Sequence, residues 1–157
     1  MSFPELLTLA SALLLSVWLS LRAPPRVRIV VVIAVLLVSA AMFLPLETLE
    51  QAFGRRNVRW LGKRLAGTPF DVSVMAHFLA FAGLAAVLWL SRPDWRGWRA
   101  VGVLVALAVA GELMQGIGAY RQARLDDVFT NLLGSAAGLA VALPIAWWRG
   151  RGPPPPA

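Results

Sequence analysis

The chain carries a single histidine, His77, and eight acidic residues, so every group able to move a proton near neutral pH can be placed individually. Asp71 precedes His77 by six residues, and Glu112 and Gln115 stand three residues apart, on one face of any helix. Arg121 and Arg124 follow, then Asp126 and Asp127, and one turn further Asn131. A histidine beside carboxylates can accept and donate a proton, arginine pairs with phosphate or carboxylate, and Asp and Asn orient a substrate or its water. On this chemistry His77, Glu112 and Asp127 are the candidate catalytic residues. Asp71, Gln115, Arg121, Arg124, Asp126 and Asn131 are the candidate binding residues. One histidine with carboxylates suits several divalent ions, so the pattern assigns no dedicated metal site and leaves the cofactor unknown. Each group also has a structural use. His77 can be a hydrogen-bonded core histidine, Glu112 and Gln115 can join two helices, and Asp126 with Asp127 can cap a helix and supply its first-turn acid.

These residues stand out because the remainder is apolar. Of 157 residues, 59% are hydrophobic and 15% charged, with a mean hydropathy of +0.69. Soluble domains run nearer ~45–50% apolar and ~25% charged. A disordered chain, a nucleic-acid arm and an ordinary soluble enzyme are excluded. The net charge of +7 is almost entirely arginine, which in so apolar a chain reads as flanks of membrane spans meeting anionic headgroups, not as a nucleic-acid footprint. Without cysteine there are no disulfides and no thiolate metal sites.

A bilayer core of about 30 Å needs about 20 apolar residues in a helix. Five stretches qualify, at 6–21, 27–44, 72–90, 100–117 and 128–148. The expected fold is therefore all-α, an integral membrane bundle of five transmembrane helices. Residues 1–22 form an N-terminal span, 27–149 the main membrane domain and 150–157 a disordered Pro-rich tail. The first span has no positively charged leader and is followed by Arg22, Arg26 and Arg28, which suits a signal anchor. In the connector 45–70, Leu49, Phe53, Trp60, Leu61 and Leu65 oppose Arg55, Arg56, Arg59, Lys63 and Arg64, the pattern of a basic amphipathic helix in the headgroup plane. Gly54, Gly62 and Gly67 argue against one unbroken helix, and a solvated basic loop is the alternative.

Antiparallel spans bring the start of the third, the end of the fourth and the start of the fifth to one membrane side. At 1.5 Å per residue, His77 and Glu112 each lie roughly 9 Å below that surface and Asn131 roughly 6 Å. A charge at a helix centre costs roughly 2.5–3.5 kcal/mol, so Glu112 needs a partner, and His77, Arg121 and Arg124 are at hand. Asp127, Asn131, Gly134 and Gly138 form one stripe that begins polar and continues small, with Gly134 and Gly138 a helix-packing seam. Gly116 and Gly118 loosen the end of the fourth span, where a cleft can open. The other halves of the spans carry almost no polar group, which argues against a transport path.

These elements together resemble the VanZ-like membrane protein family. The matching residues are His77-Phe78 with an aspartate upstream, Glu112-x-x-Gln115, Arg121 six residues before Asp127, and Asp127 through Asn131 and Gly134 to Gly138. They cover about residues 70–140, with Phe43-Leu44-Pro45 extending the likeness to the second span. Family members often carry Asp-Lys shortly before the histidine, where this chain has Ser73-Val74, so no role of that lysine carries over. The resemblance implies a four-helix core preceded by an added span, in a bacterial membrane protein some of whose relatives are linked to resistance to glycopeptides such as teicoplanin. It carries no particular reaction. The polar cluster beside a basic amphipathic segment, rather than the resemblance, points to membrane lipids and a lipid-linked envelope precursor as partners, with no nucleic acid.

Sidedness rests on the flanks. Glu5 precedes the first span and three arginines follow it, and six of the seven tryptophans lie at the ends facing that arginine-rich side. The expected location is the bacterial inner membrane, multi-pass, with the N-terminus outside and the C-terminus cytoplasmic. A reporter fused after Arg151 should therefore read as cytoplasmic; a periplasmic signal would reverse the assignment.

Overall fold

This computed structural model describes residues 3–21, 23–43, 46–68, 71–117 and 124–150. Helix is the only regular structure among them. The order is α1 (Phe3–Ser20), α2 (Pro25–Phe43), α3 (Leu46–Phe53), α4 (Arg55–Leu65), α5 (Val72–Ser91), a 3-10 turn (Pro93–Trp95), α6 (Trp98–Ile117) and α7 (Leu125–Arg149). Helices α5, α6 and α7 are long and apolar enough to cross a membrane. The Pro-rich tail 151–157 and Arg22 lie outside the described residues.

The starts and stops follow from local chemistry. Pro25 opens α2, where its missing N–H is no loss. Asp71 caps α5 by accepting the Val74 N–H at 2.8 Å. The cap of α7 is the backbone of Arg124; Asp126 and Asp127 both lie inside the first turn, where their charge meets the positive end of the helix dipole. A capping role for Asp126 is thus replaced by a first-turn role.

The connector differs more. It forms two helices, α3 and α4, divided at Gly54, whose φ of 86° suits glycine and breaks the helical phase. The apolar stripe consequently does not run through. On α4, Val58, Leu61 and Leu65 are the half-buried residues, whereas Phe53 and Trp60 are exposed. The Arg64 guanidinium lies over the Trp60 ring, 5.3 Å from its centroid.

Buried positions recur at helical spacing in every long helix of the core. They are Val31, Ala34, Val35, Val38 and Met42 on α2, His77, Phe81, Leu84, Ala85 and Leu88 on α5, and Leu104 and Ala108 on α6. On α7 the buried row is Asn131, Gly134, Ser135, Gly138 and Ala142. Helix α5 is the hub, packing against α7 most extensively and then against α2. A Cβ at Gly134 would fall 2.3 Å from the Phe78 carbonyl oxygen, and one at Gly138 would fall 2.1 Å from that of Ala82. Both contacts advance by four residues on each helix, so α5 and α7 run parallel with their backbones touching. Small-residue seams permit this approach, which weak Cα–H···O contacts support.

The arginine-rich end is not only an anchor. Arg92, grouped by the sequence with the headgroup-facing arginines, is 4% exposed. It donates to the main-chain oxygen of Leu19, one of the terminal carbonyls that α1 cannot satisfy itself. It also pairs with Asp94 at 2.7 Å and lies over Trp95, which meets Trp18 edge-on at 5.0 Å. The hydrogen bond from Arg92 holds the Asp94 carboxyl below the usual carboxylate range. A charged clamp thus ties the end of α1 to the α5–α6 turn.

The seam yields a paired test. Gly138→Ala should destabilise by about 1–3 kcal/mol, because the clash is with backbone and no rotamer relieves it. Gly102→Ala, on an exposed stretch of α6 with open space around it, should be neutral or stabilising by up to about 1 kcal/mol. Thermal melts of the purified variants in detergent compare them directly.

Candidate functional site

The buried rows of α5, α6 and α7 turn polar at the same end. On α5 the first buried residue is His77. On α6 the row through Leu104 and Ala108 continues into Glu112 and Gln115, both buried. On α7 it starts with Asn131, which is fully buried. The polar residues therefore occupy core positions and face other helices, while Leu79, Leu113, Phe129 and Leu133 on the same helices face outward.

The centre is a histidine–carboxylate pair. His77 Nδ1 lies 3.8 Å from Glu112 Oε1, at 1% and 3% side-chain exposure. That is ion-pair distance and longer than a direct hydrogen bond. The other carboxylate oxygen, Oε2, accepts the main-chain N–H of Arg124 at 3.4 Å. Glu112 thereby joins α5, α6 and the entry to α7. Removal of either partner would take away the group that faces the other inside the bundle.

Gln115 has a different task. Its Nε2 donates to the main-chain oxygen of Met42 at 2.5 Å, supplying a partner to a carbonyl in the last turn of α2. The sequence offers only an indirect signal for this contact. A proline at position 45 in the sequence argues for a helix stop nearby and so for orphaned carbonyls, but a main-chain acceptor carries no side-chain signature. Ser135, unassigned from the sequence except as part of the seam, donates to the main-chain oxygen of Asn131 at 2.9 Å. Among the described residues neither side-chain amide atom of Asn131 has a hydrogen-bond partner. Such a buried amide is normally paired, and leaving it unpaired is costly.

The remaining candidates lie around this centre. Asp71 is exposed and engaged in capping α5. It also lines a cleft of about 390 Å³ between the end of α4 and the start of α5, with Gly62, Leu65, Thr68 and Ser73. Asp127 is half-buried in the first turn of α7. Asp126 and Arg124 form an exposed pair at 3.5 Å, of the kind that contributes little. Arg121 and Gly118 lie outside the described residues. Helix α6 continues through Gly116 to Ile117, so Gly116 does not interrupt it. No group of three or more His, Cys, Asp or Glu side chains placed to share a metal ion occurs among the described residues.

His77 and Glu112 are thus brought into direct electrostatic contact, Gln115 and Asp71 are held by structural hydrogen bonds, and Asp127 stands at the α7 entrance. No curated protein and no solved structure matches the chain. The family model described as VanZ/LLP1 matches residues 6–148, from within α1 to within α7. With most of the chain and the paired His77 and Glu112 inside that match, the chain belongs to the VanZ/LLP1 family.

Proposed function

We propose that this VanZ/LLP1 protein crosses the bacterial inner membrane five times and binds or acts on a cell-envelope lipid or lipid-linked glycan at the His77–Glu112 site. The observation that carries the reading is that pair, buried across α5 and α6 at 3.8 Å in a chain with so few ionisable groups. Neutral His77 or the Glu112 carboxylate takes a proton from a substrate group brought within hydrogen-bond reach. Arg121 and Arg124 supply charge for a phosphate or carboxylate, and Asp127 and Asn131 orient the bound group. The unpartnered amide of Asn131 adds a donor and an acceptor at the same end of the core. Helix α4, with exposed Arg55, Arg56, Arg59, Lys63 and Arg64, lies in the headgroup plane and gathers anionic lipid toward the site. The expected consequence is altered glycopeptide susceptibility, in keeping with the link to teicoplanin resistance that the resemblance implies for some relatives.

A second reading has its own support. Gln115 on Met42 and Asp71 on Val74 show polar groups of this end serving structure, as they would in a scaffold with a rigid polar core. Separate substitutions distinguish the two. Under the site reading, His77→Ala, Glu112→Gln and Asp127→Asn each abolish the resistance or envelope phenotype at normal abundance. Gln115→Leu, which removes the side-chain donor to a helix-end carbonyl, lowers stability by about 1–3 kcal/mol and spares the phenotype in the protein that remains. If all four variants simply lose abundance in step with phenotype, the scaffold reading stands instead.

A further inference from the structure

The molecule carries a second cavity that the polar site does not account for. It is a cleft of about 120 Å³ between α1, α2, α5 and α6, walled by Leu15, Val35, Met42, Phe81, Leu107 and Met114 among others. Its α6 wall runs from Leu107 to Met114 and its α2 wall from Val35 to Phe43, a length of ~10–12 Å along the helix axes. The cleft therefore lies parallel to the helices. Its lining is almost wholly side-chain hydrocarbon and thioether, with Ser11 and Ser39 the exceptions.

One end of this cleft meets the polar site. Met42 lines the cleft with its side chain while its main-chain oxygen accepts from Gln115. Gly111, which also lines it, immediately precedes Glu112, and a Cβ there would fall 2.4 Å from the Met42 methyl carbon. The opposite end, at Val35, Leu84 and Leu107, reaches the apolar middle of the bundle.

We propose that the cleft seats one hydrocarbon chain of a membrane lipid whose headgroup lies at the His77–Glu112 end. The proposal rests on the lipid reading of that site and adds the course of the chain. A polar occupant would lose its hydrogen bonds against these walls. Protein interiors are close-packed, so an apolar cleft opening between membrane helices takes up what surrounds it. Within a bilayer that is lipid hydrocarbon, whose chains run along the helices as the cleft does. The size admits one chain, so a lipid with a second chain keeps it outside. The polar site then selects the head, and the cleft holds the lipid in register with it.

The test uses the full chain in vesicles of phosphatidylethanolamine with a minority of phosphatidylglycerol. Two phosphatidylglycerol probes carry a photoreactive diazirine, one near the carboxyl end of the acyl chain and one near its terminal methyl. The head-proximal probe should label Met42, Phe43 and Met114, and the terminal probe Val35, Leu84 and Leu107. Labelling of the outward residues Phe129, Leu133 and Val141 on α7 sets the background from surrounding lipid. Ala110→Phe and Ser39→Phe, which fill the cleft, should each reduce cleft labelling to that background with the melting temperature retained. Leu113→Phe, on the outward face of α6, should leave labelling unchanged. Cleft labelling no higher than background, a reversed order of the two probes, or persistence of labelling in both filled variants would overturn the proposal. The two readings fail separately. Loss of phenotype in His77→Ala without cleft labelling leaves the site and removes the chain seat, whereas cleft labelling with phenotype intact in His77→Ala does the reverse.

Discussion

The backbone contact between α5 and α7 is the constraint on which the other arrangements rest. Gly134 and Gly138 lie so close to the carbonyls of Phe78 and Ala82 that no side chain fits between them. Two parallel helices in such contact cannot slide by a residue without driving a Cβ into backbone. Register along the bundle is therefore set in steps of one helical turn. His77 immediately precedes Phe78, and Asn131 lies one turn before Gly134, so the seam also determines the level at which the polar residues of α5 and α7 stand. A polar site near a membrane surface needs that kind of support. Hydrophobic burial does not discriminate between helices and lipid tails there, and close van der Waals packing has to provide the specificity.

The seam explains why two kinds of polar contact coexist at one end of the molecule. Gln115 and Asp71 satisfy helix ends, a requirement that grows severe where water is absent. His77 and Glu112 satisfy no helix end through their facing atoms; they face each other across two helices. At the opposite end Arg92 combines both tasks, donating to the Leu19 carbonyl of α1 and pairing with Asp94. The two ends thus differ in accounting. At one end Arg92 is absorbed by architecture; the other retains a buried histidine–carboxylate pair and an Asn131 amide with no hydrogen-bond partner among the described residues.

Much of this was legible in the chain before folding. The long apolar runs at 72–90, 100–117 and 128–148 correspond to α5, α6 and α7, because hydrocarbon-spanning helices are defined by length and composition more than by context. The opposition of His77 and Glu112 follows from antiparallel counting at a constant rise per residue. Gly134 and Gly138 were readable as a seam from spacing alone. Other features were hidden for physical reasons. The sequence offered Gly54, Gly62 and Gly67 as possible breaks, and which of them divides the connector depended on the positive φ at Gly54. The burial of Arg92 could not be distinguished from headgroup anchoring, since an arginine after a span satisfies both patterns. The Met42 carbonyl that holds Gln115 has no sequence signature at all.

The sequence by itself determined the class of molecule and the gathering of its polar residues toward one end of the bundle, because both depend on properties that accumulate locally along a helix. It also determined which residues were rare enough to question. Tertiary structure decided which of them meet. It placed Glu112 on His77 and Gln115 on Met42, although both residues share one face of α6. It buried Arg92 and left Trp60 exposed. It opened an apolar cleft beside the polar site from side chains that read only as core. Such choices turn on distances of a few ångströms between helices, and the closeness of packing that sets them exists only once the helices are assembled.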